Sequence, residues 1–416
     1  MSAPQGPLHG IRIADFTTVV MGPLATRMLG DMGADVIRVE APGGDIIRQY
    51  APMRSPRMGA FSMNVNRNKR SAVVDMKTTA GRTAALDLIA TCDVFVTNHR
   101  RKALDRLGLD EKSVRQVKPD IVYCVTNGFG SDGPSADKPA YDDIIQAASG
   151  LASTFNWNAD QPMFVPSIVA DKITGVHVAF AIAAALAGRA TTGHGASLEV
   201  PMAETMAAFN LVEHLGGQTF NPTDGPFSYQ RVTTPHRRPR KTSDGWIAIL
   251  PYTEESWDQF FEFGGKPELM GDSRFASAYD RVQYAEILYP LMDEVIRRRT
   301  TTEWLDFCDA NNIPAAPVTQ LDELIEDEHL QAVGLFVDHD HSTEGPIRYV
   351  RDAIVVDGAH NPMRHDAPRL AQQTAEVFAE IGYTEAQIAE LLAVFADTEQ
   401  TSSATTPDPN QQESPQ

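Results

Sequence analysis

The stretch GIRIADFTTVVMGPLATRMLGDMGADVIRVE runs from Gly10 to Glu40, and its periodicity changes twice. Ile11 to Ala14 is a short apolar run, which suits a buried strand. Pro23 to Met32 has apolar residues at helical spacing and a proline near its start, where the missing N–H costs little. Asp35 to Val39 is apolar and β-branched again. Strand, helix and strand in succession make a βαβ unit, whose strands run parallel.

The same alternation continues outward from this unit. Ser71 to Met76 reads as a strand, Arg82 to Ala90 as a helix and Asp93 to Asn98 as a strand. Two short helical segments end near Lys118, and Asp120 to Gly130 is a strand entering a glycine-rich turn. The spacing predicts a long helix from Asp171 to about Arg189, a strand from Ala196 to Met202 and a helix from Ala203 to Leu215. The fold class is therefore α/β, a Rossmann-like large domain with a parallel sheet. In such sheets ligands gather at the C-terminal ends of the strands.

Composition shifts at residues 217–242, which are rich in Pro, Gly, Thr and Arg. A strand at Gly245 to Leu250 follows, with helices at Glu254 to Phe263, Tyr284 to Arg298 and Glu303 to Asn311, so a smaller α+β domain is expected. AVGLFVDHDHSTEGPIRYV reads as two strands around a turn, and Thr374 to Ile381 and Glu385 to Leu392 as a helical pair. The expected division is a large domain over 8–225, a linker over 226–242 and a small domain over 243–325. A linker and return to the large domain over 326–396 and a disordered tail over 397–416 complete it.

Composition narrows the function. Lys plus Arg number 36 and Asp plus Glu 55, a formal net charge of −19. Such a surface repels a phosphodiester backbone, so nucleic acid is excluded as a partner, although a small phosphorylated ligand is not. Cys92, Cys124 and Cys308 stand far apart, at neither metal-ligand nor disulfide-framework spacing, and read as core thiols. No metal site is expected. MSAPQGPLHG lacks a secretory pattern, and the alanine-rich run from Val176 to Ala187 is too short to span a bilayer. The expectation is a soluble cytoplasmic protein with no membrane partner.

DFTTVVMGPLA, between the first strand and helix, has only Gly22 where a dinucleotide site needs G-x-G-x-x-G. No G-x-S-x-G, H-E-x-x-H or P-loop pattern occurs either. Four ordered segments do carry a signal. They are Gly10 to Asp45, NRNKRSAVVDMKTTAGR (Asn66 to Arg82), CDVFVTNHRRKALDRLGL (Cys92 to Leu109) and VADKITGVHVAFAIAAAL (Val169 to Leu186), the last preceded by PAYDDIIQAASGLAS. Together with IPAAPV (Ile313 to Val318), this set resembles the class III coenzyme-A transferases. That family includes formyl-CoA transferase, the carnitine CoA-transferases and α-methylacyl-CoA racemase.

The resemblance implies transfer of CoA between a thioester and a carboxylic acid, with Asp171 at the position of the family's catalytic aspartate. The local sequence also allows Asp171 to be an N-cap of its helix, whose positive end would favour the carboxylate. Family racemases carry His where this chain has Tyr141; a phenol is a poor base at neutral pH, so transfer is expected over racemisation. Lys77, Asn98 and Arg106 match positions that contact coenzyme A in relatives, with His99 and Arg100 adjacent. Coenzyme A is then a substrate rather than a tightly bound cofactor. The resemblance further implies an interlocked homodimer.

Departures narrow the match. Ala41 follows IRVE where many relatives have Arg, Val20 stands for a Gln of formyl-CoA transferases, and Pro139 for a Lys. No poly-Gly run occurs in the small domain. These changes suggest a larger or less polar acyl group. PHRRPRK (Pro235 to Lys241) is the densest basic run; it either attracts an acid substrate or is a solvated or interface segment. A racemase and a CoA-binding protein without turnover remain the alternatives.

Overall fold

The computed structural model describes residues 6–403. Six parallel strands form its main sheet: β1 (Arg12–Phe16), β2 (Asp35–Glu40), β3 (Lys69–Val73), β4 (Val94–Thr97), β5 (Val122–Asn127) and β6 (Ser197–Pro201). Their order is β3-β2-β1-β4-β5-β6, so the chain reverses direction across the sheet between β1 and β4. Such a switch point opens a crevice at the carboxyl ends of the two strands.

Strand periodicity explains the two-faced burial. Ala14, Phe16, Ile37, Val39 and Phe95 point to one side, where they pack with the helix Thr79–Ala90 and the C-terminal residues Val377, Phe378, Ile388 and Leu391. Ile13, Val36, Val94, Val96 and Cys124 point to the other. There they meet α1 (Met21–Asp31) and a 24-residue helix, α2 (Val169–Thr192), through Val178, Ile182 and Leu186. By length and composition α2 could cross a bilayer, contrary to the shorter span expected from its alanine run. One side of it is instead spent in the core of the sheet.

Contacts divide the chain into two compact units. Among the described residues, the first comprises 6–148, 166–206 and 332–403, the second 149–165 and 207–331. The second has its own core around Trp257, Phe260, Phe261 and Trp304, and a three-stranded sheet that includes Arg240–Lys241 and Trp246–Ile249. The segment expected as a linker over 226–242 thus holds a helical turn, Gln230–Thr233, and a strand of that sheet. The antiparallel pair Phe336–His341 and Gly345–Val350 lies where two strands around a turn were expected.

Two other boundaries differ from the sequence reading. The third strand begins at Lys69 rather than Ser71, because buried Lys69 is neutralised by Asp15 and so behaves as a core residue. The last helix, Glu385–Ser403, continues past Asp397 into the segment expected to be disordered; the remainder of that tail lies outside the described residues. All three cysteines are free and buried, with burial pushing Cys92 and Cys124 up to about 12 and Cys308 to about 11. They are packing groups, not nucleophiles.

Candidate active site

The loop Thr17–Val20 joins β1 to α1 without the glycines of a dinucleotide turn. Val19 nevertheless has φ 66°, a conformation that costs a β-branched residue steric strain. Hydrogen bonds on both sides hold it there. The Val19 N–H donates to Asp45 Oδ2 at 2.8 Å. Thr18 N–H donates to Asn98 Oδ1 at 3.0 Å, and Asn98 Nδ2 donates back to the Thr18 carbonyl at 2.9 Å. Asp15 accepts from the N–H and hydroxyl of Thr17, and its other oxygen from Thr26 and from the fully buried Lys69 at 3.0 Å. A buried charge network therefore fixes the loop from below, and Asn98 fixes it across the switch point.

Asp171 reaches this loop because of one close helix crossing. Gly175 lies under α1, where an added Cβ would stand 2.8 Å from the Met21 carbonyl oxygen. Residues four apart share a helix face, so Asp171 projects one turn earlier on that face, beside the start of α1. Thr18, Val20, Met21, Asn98, Tyr141 and Asp171 all line one cavity of about 470 Å³. Val20 provides no side-chain cap to α1, and no acidic side chain occupies its first turn. First-turn N–H groups are thus left for a ligand oxygen.

The capping expectation for Asp171 is overturned. Helix α2 begins at Val169, with Ile168 as N-cap, which places Asp171 at the third helical position. Its own N–H, one of the orphan donors of the helix start, donates to Asp142 Oδ1 at 3.0 Å. Asp142 thus caps α2 from the helix Asp142–Ala148, and Gln146 secures its other oxygen at 2.6 Å while also donating to the Ser167 carbonyl at 3.1 Å. The electrostatic expectation reverses as well. Burial first, and the neighbouring Asp142 charge second, raise the pKa of Asp171 to about 7. No ion pair reaches it among the described residues to offset either effect.

The other sequence-selected residues divide into two groups. Tyr141, 68% exposed, Asn98 and Arg100 line the same cavity as Asp171. Lys77, His99 and Arg106 do not. Lys77 is exposed in the turn after β3, and Arg106 is exposed in the last turn of the short helix Arg101–Leu107. His99 is turned toward the protein, with Nδ1 2.9 Å from Thr97 Oγ1, and burial lowers its pKa, so it is a neutral ring rather than a phosphate-binding cation. Asn98 differs from expectation in what it does: its amide is engaged by Thr18, so it orders the loop.

Sequence reasoning missed three contributors. Asp142, Arg101 and Lys102 each meet the site, the last two at its rim, where they pair with Glu199 at 3.3 Å and Asp137 at 2.7 Å. The adjacent acids in AYDD, with Gln146 four residues after Asp142, were the available signal. Chemically, the cavity joins a half-buried carboxylate, free helix-start donors and a cationic rim. No group of three or more His, Cys, Asp or Glu suited to a metal occurs among the described residues.

Residues 8–374 match the family model described as CoA-transferase family III. The succinate–glutarate CoA-transferase of Agrobacterium fabrum is 32% identical over 389 residues, covering 90% of this chain and 96% of that protein. The formyl-CoA:oxalate CoA-transferase of Rhodopseudomonas palustris (strain BisA53) is 29% identical over 411 residues, covering 92% and 96%. A CAIB/BAIF family protein from Brucella suis, known from its crystal structure, superposes with a TM-score of 0.78 at 27% identity, covering 91% of this chain and all of that one.

Proposed function

The chain belongs to CoA-transferase family III and is an enzyme that transfers coenzyme A; on that premise we propose that Asp171 carries the transferred groups between an acyl-CoA thioester and a carboxylic acid. The observation that supports this most is the placement of a carboxylate without a cationic partner, beside uncapped helix N–H groups, in a cavity at the switch point.

The steps balance without an external oxidant or a net proton. Asp171 Oδ attacks the thioester carbonyl, the C–S bond breaks, and CoA leaves as thiolate from a mixed anhydride. The thiolate attacks the aspartyl carbonyl, releasing the donor acid as carboxylate and forming an aspartyl-CoA thioester. An acceptor carboxylate attacks that thioester and expels the thiolate, forming a second anhydride. The thiolate then attacks its acyl carbonyl, and acceptor-CoA and the Asp171 carboxylate result. Each tetrahedral oxyanion is suited to the N–H groups at the start of α1. A carboxylate with a raised pKa is the more basic nucleophile, at the expense of being partly protonated at neutral pH.

For the cofactor substrate, Arg100, Arg101 and Lys102 at the rim suit the pyrophosphate. Lys77 and Arg106 are the proposed contacts of its distal phosphate. Tyr141 flanks the reacting carbonyl. The two CoA-transferases above are named for succinate and glutarate and for formyl-CoA and oxalate; Val20 adds an apolar side chain to the wall of this cavity, and a less polar acyl group is proposed here. A homodimer is proposed as well, supported by Val176 and Phe180 on α2, apolar side chains that are 48% and 72% exposed.

The test is isotope exchange between labelled CoA thioester and free acids with the Asp171→Ala enzyme. Exchange lost with CoA binding retained supports the proposal. Exchange at parental rate removes Asp171 from the chemistry. Deuterium uptake at the α-carbon without any acceptor acid would favour racemisation instead.

A further inference from the structure

The second unit contains a cavity that the transfer proposal leaves without a role. Its volume is about 670 Å³, within the range of small-molecule sites. Arg231, Arg237, Arg238, Arg240 and Arg281 line it, and no carboxylate does. In a chain of net charge −19 this is a concentrated reversal of sign.

The partners of these arginines leave positive charge uncompensated. Arg240 is buried; it donates to Asp293 Oδ1 at 2.9 Å and to the Tyr289 carbonyl at 3.3 Å, with its guanidinium 4.8 Å above the Tyr289 ring. Arg238 shares the same Asp293, at 3.4 Å, so one carboxylate serves two guanidiniums. Arg281 directs its donors to the carbonyls of Phe275, Ala276 and Tyr252, with Glu254 and Asp280 acting on it only through their fields. Arg231 and Arg237 form no ion pair among the described residues; the ion pairs of this wall are those of Asp293.

The rest of the lining is apolar and aromatic. Ile249, Trp257, Leu288 and Met292 are buried beneath the cavity, and the rings of Tyr229 and Tyr252 stand 46% and 71% exposed at its edge. Guanidinium forks match a carboxylate in geometry, and flat apolar bodies gain from offset or edge contacts with such rings. We infer that this cavity binds an aromatic carboxylate, its acid group held by Arg231 and Arg237 and its ring by the tyrosine edge and apolar floor. The basic run of the sequence thereby acquires a ligand class. The inference does not rest on the chemistry of Asp171.

Calorimetric titration of the full chain with 2-naphthoate tests it, alongside acetate, 2-naphthamide and inorganic phosphate. Naphthoate is expected to bind at least tenfold more tightly than each of the other three. The exposed Arg237→Ala change, and Arg231→Ala separately, are each expected to weaken it by about tenfold, the scale of one charge-assisted hydrogen bond. Asp171→Ala is expected to leave it unchanged. Circular dichroism of each arginine variant confirms folding before titration. Equal binding of the amide, equal binding of phosphate, or indifference to both arginine changes would overturn the inference. Loss of naphthoate binding in the Asp171→Ala protein would also overturn it, by moving the ligand to the first unit.

Discussion

The Asp171 carboxylate is half-buried on a cavity wall, and Asp142 adds a like charge beside it. On the proposed mechanism the attacking form is the carboxylate, so kcat/KM for transfer should rise with pH through about 7 and level above it. Asp142→Asn keeps an oxygen for the Asp171 N–H but removes the charge, so the rising limb should move to lower pH by about one unit. An unmoved limb would show that Asp142 does not tune Asp171. The same shift carries a stability cost with a definite sign. Unfolded, Asp171 ionises near its ordinary value of 3.8, whereas in the fold it holds its proton to about 7. Its contribution is therefore fully present below the ordinary value and lost as pH rises through about 7. Asp171→Asn should raise stability at pH 8 by about 1–2 kcal/mol and by much less at pH 4, measurable by denaturant titration at the two pH values. At this scale the sequence showed the aspartate but not its state. Asp142 lies 29 positions away, and no local pattern connects two carboxylates brought together by helix packing.

Among the elements, the crossing of α1 and α2 sets the reach of Asp171. Gly175 permits it, since any side chain would meet the Met21 carbonyl. Gly175→Ala should destabilise the chain by about 1–3 kcal/mol, the usual cost of overpacking. It should also lower kcat more than it raises KM, because Asp171 is displaced from the loop while the rim cations remain. Equal activity in steady-state kinetics would contradict this account of the crossing. The strands and the paired antiparallel ribbon were legible because apolar runs of β-branched residues have few alternatives. Helix starts were not: Val169 and Ala170 precede Asp171 without a capping residue of their own, since the cap is supplied by Asp142 from another helix. Lys69 was misread for a related reason, its burial depending on a remote Asp15.

For the whole molecule, the strand order and the two-faced core explain why a site forms at the switch point at all. The alternation of strands and helices made that architecture legible, and the ordered motifs made the family legible. Neither showed that residues 226–242 join the second unit, because a strand as short as Arg240–Lys241 leaves no periodic trace. Trapping during turnover tests the proposed role of Asp171 most directly. The full-length enzyme is incubated with acyl-CoA and hydroxylamine, digested, and its peptides are weighed by mass spectrometry. An acyl-CoA-dependent hydroxamate on Asp171 alone is the expected result, because hydroxylamine intercepts both the anhydride and the aspartyl-CoA thioester. A hydroxamate on another carboxylate, or an unmodified Asp171 in enzyme that is turning over, would contradict it.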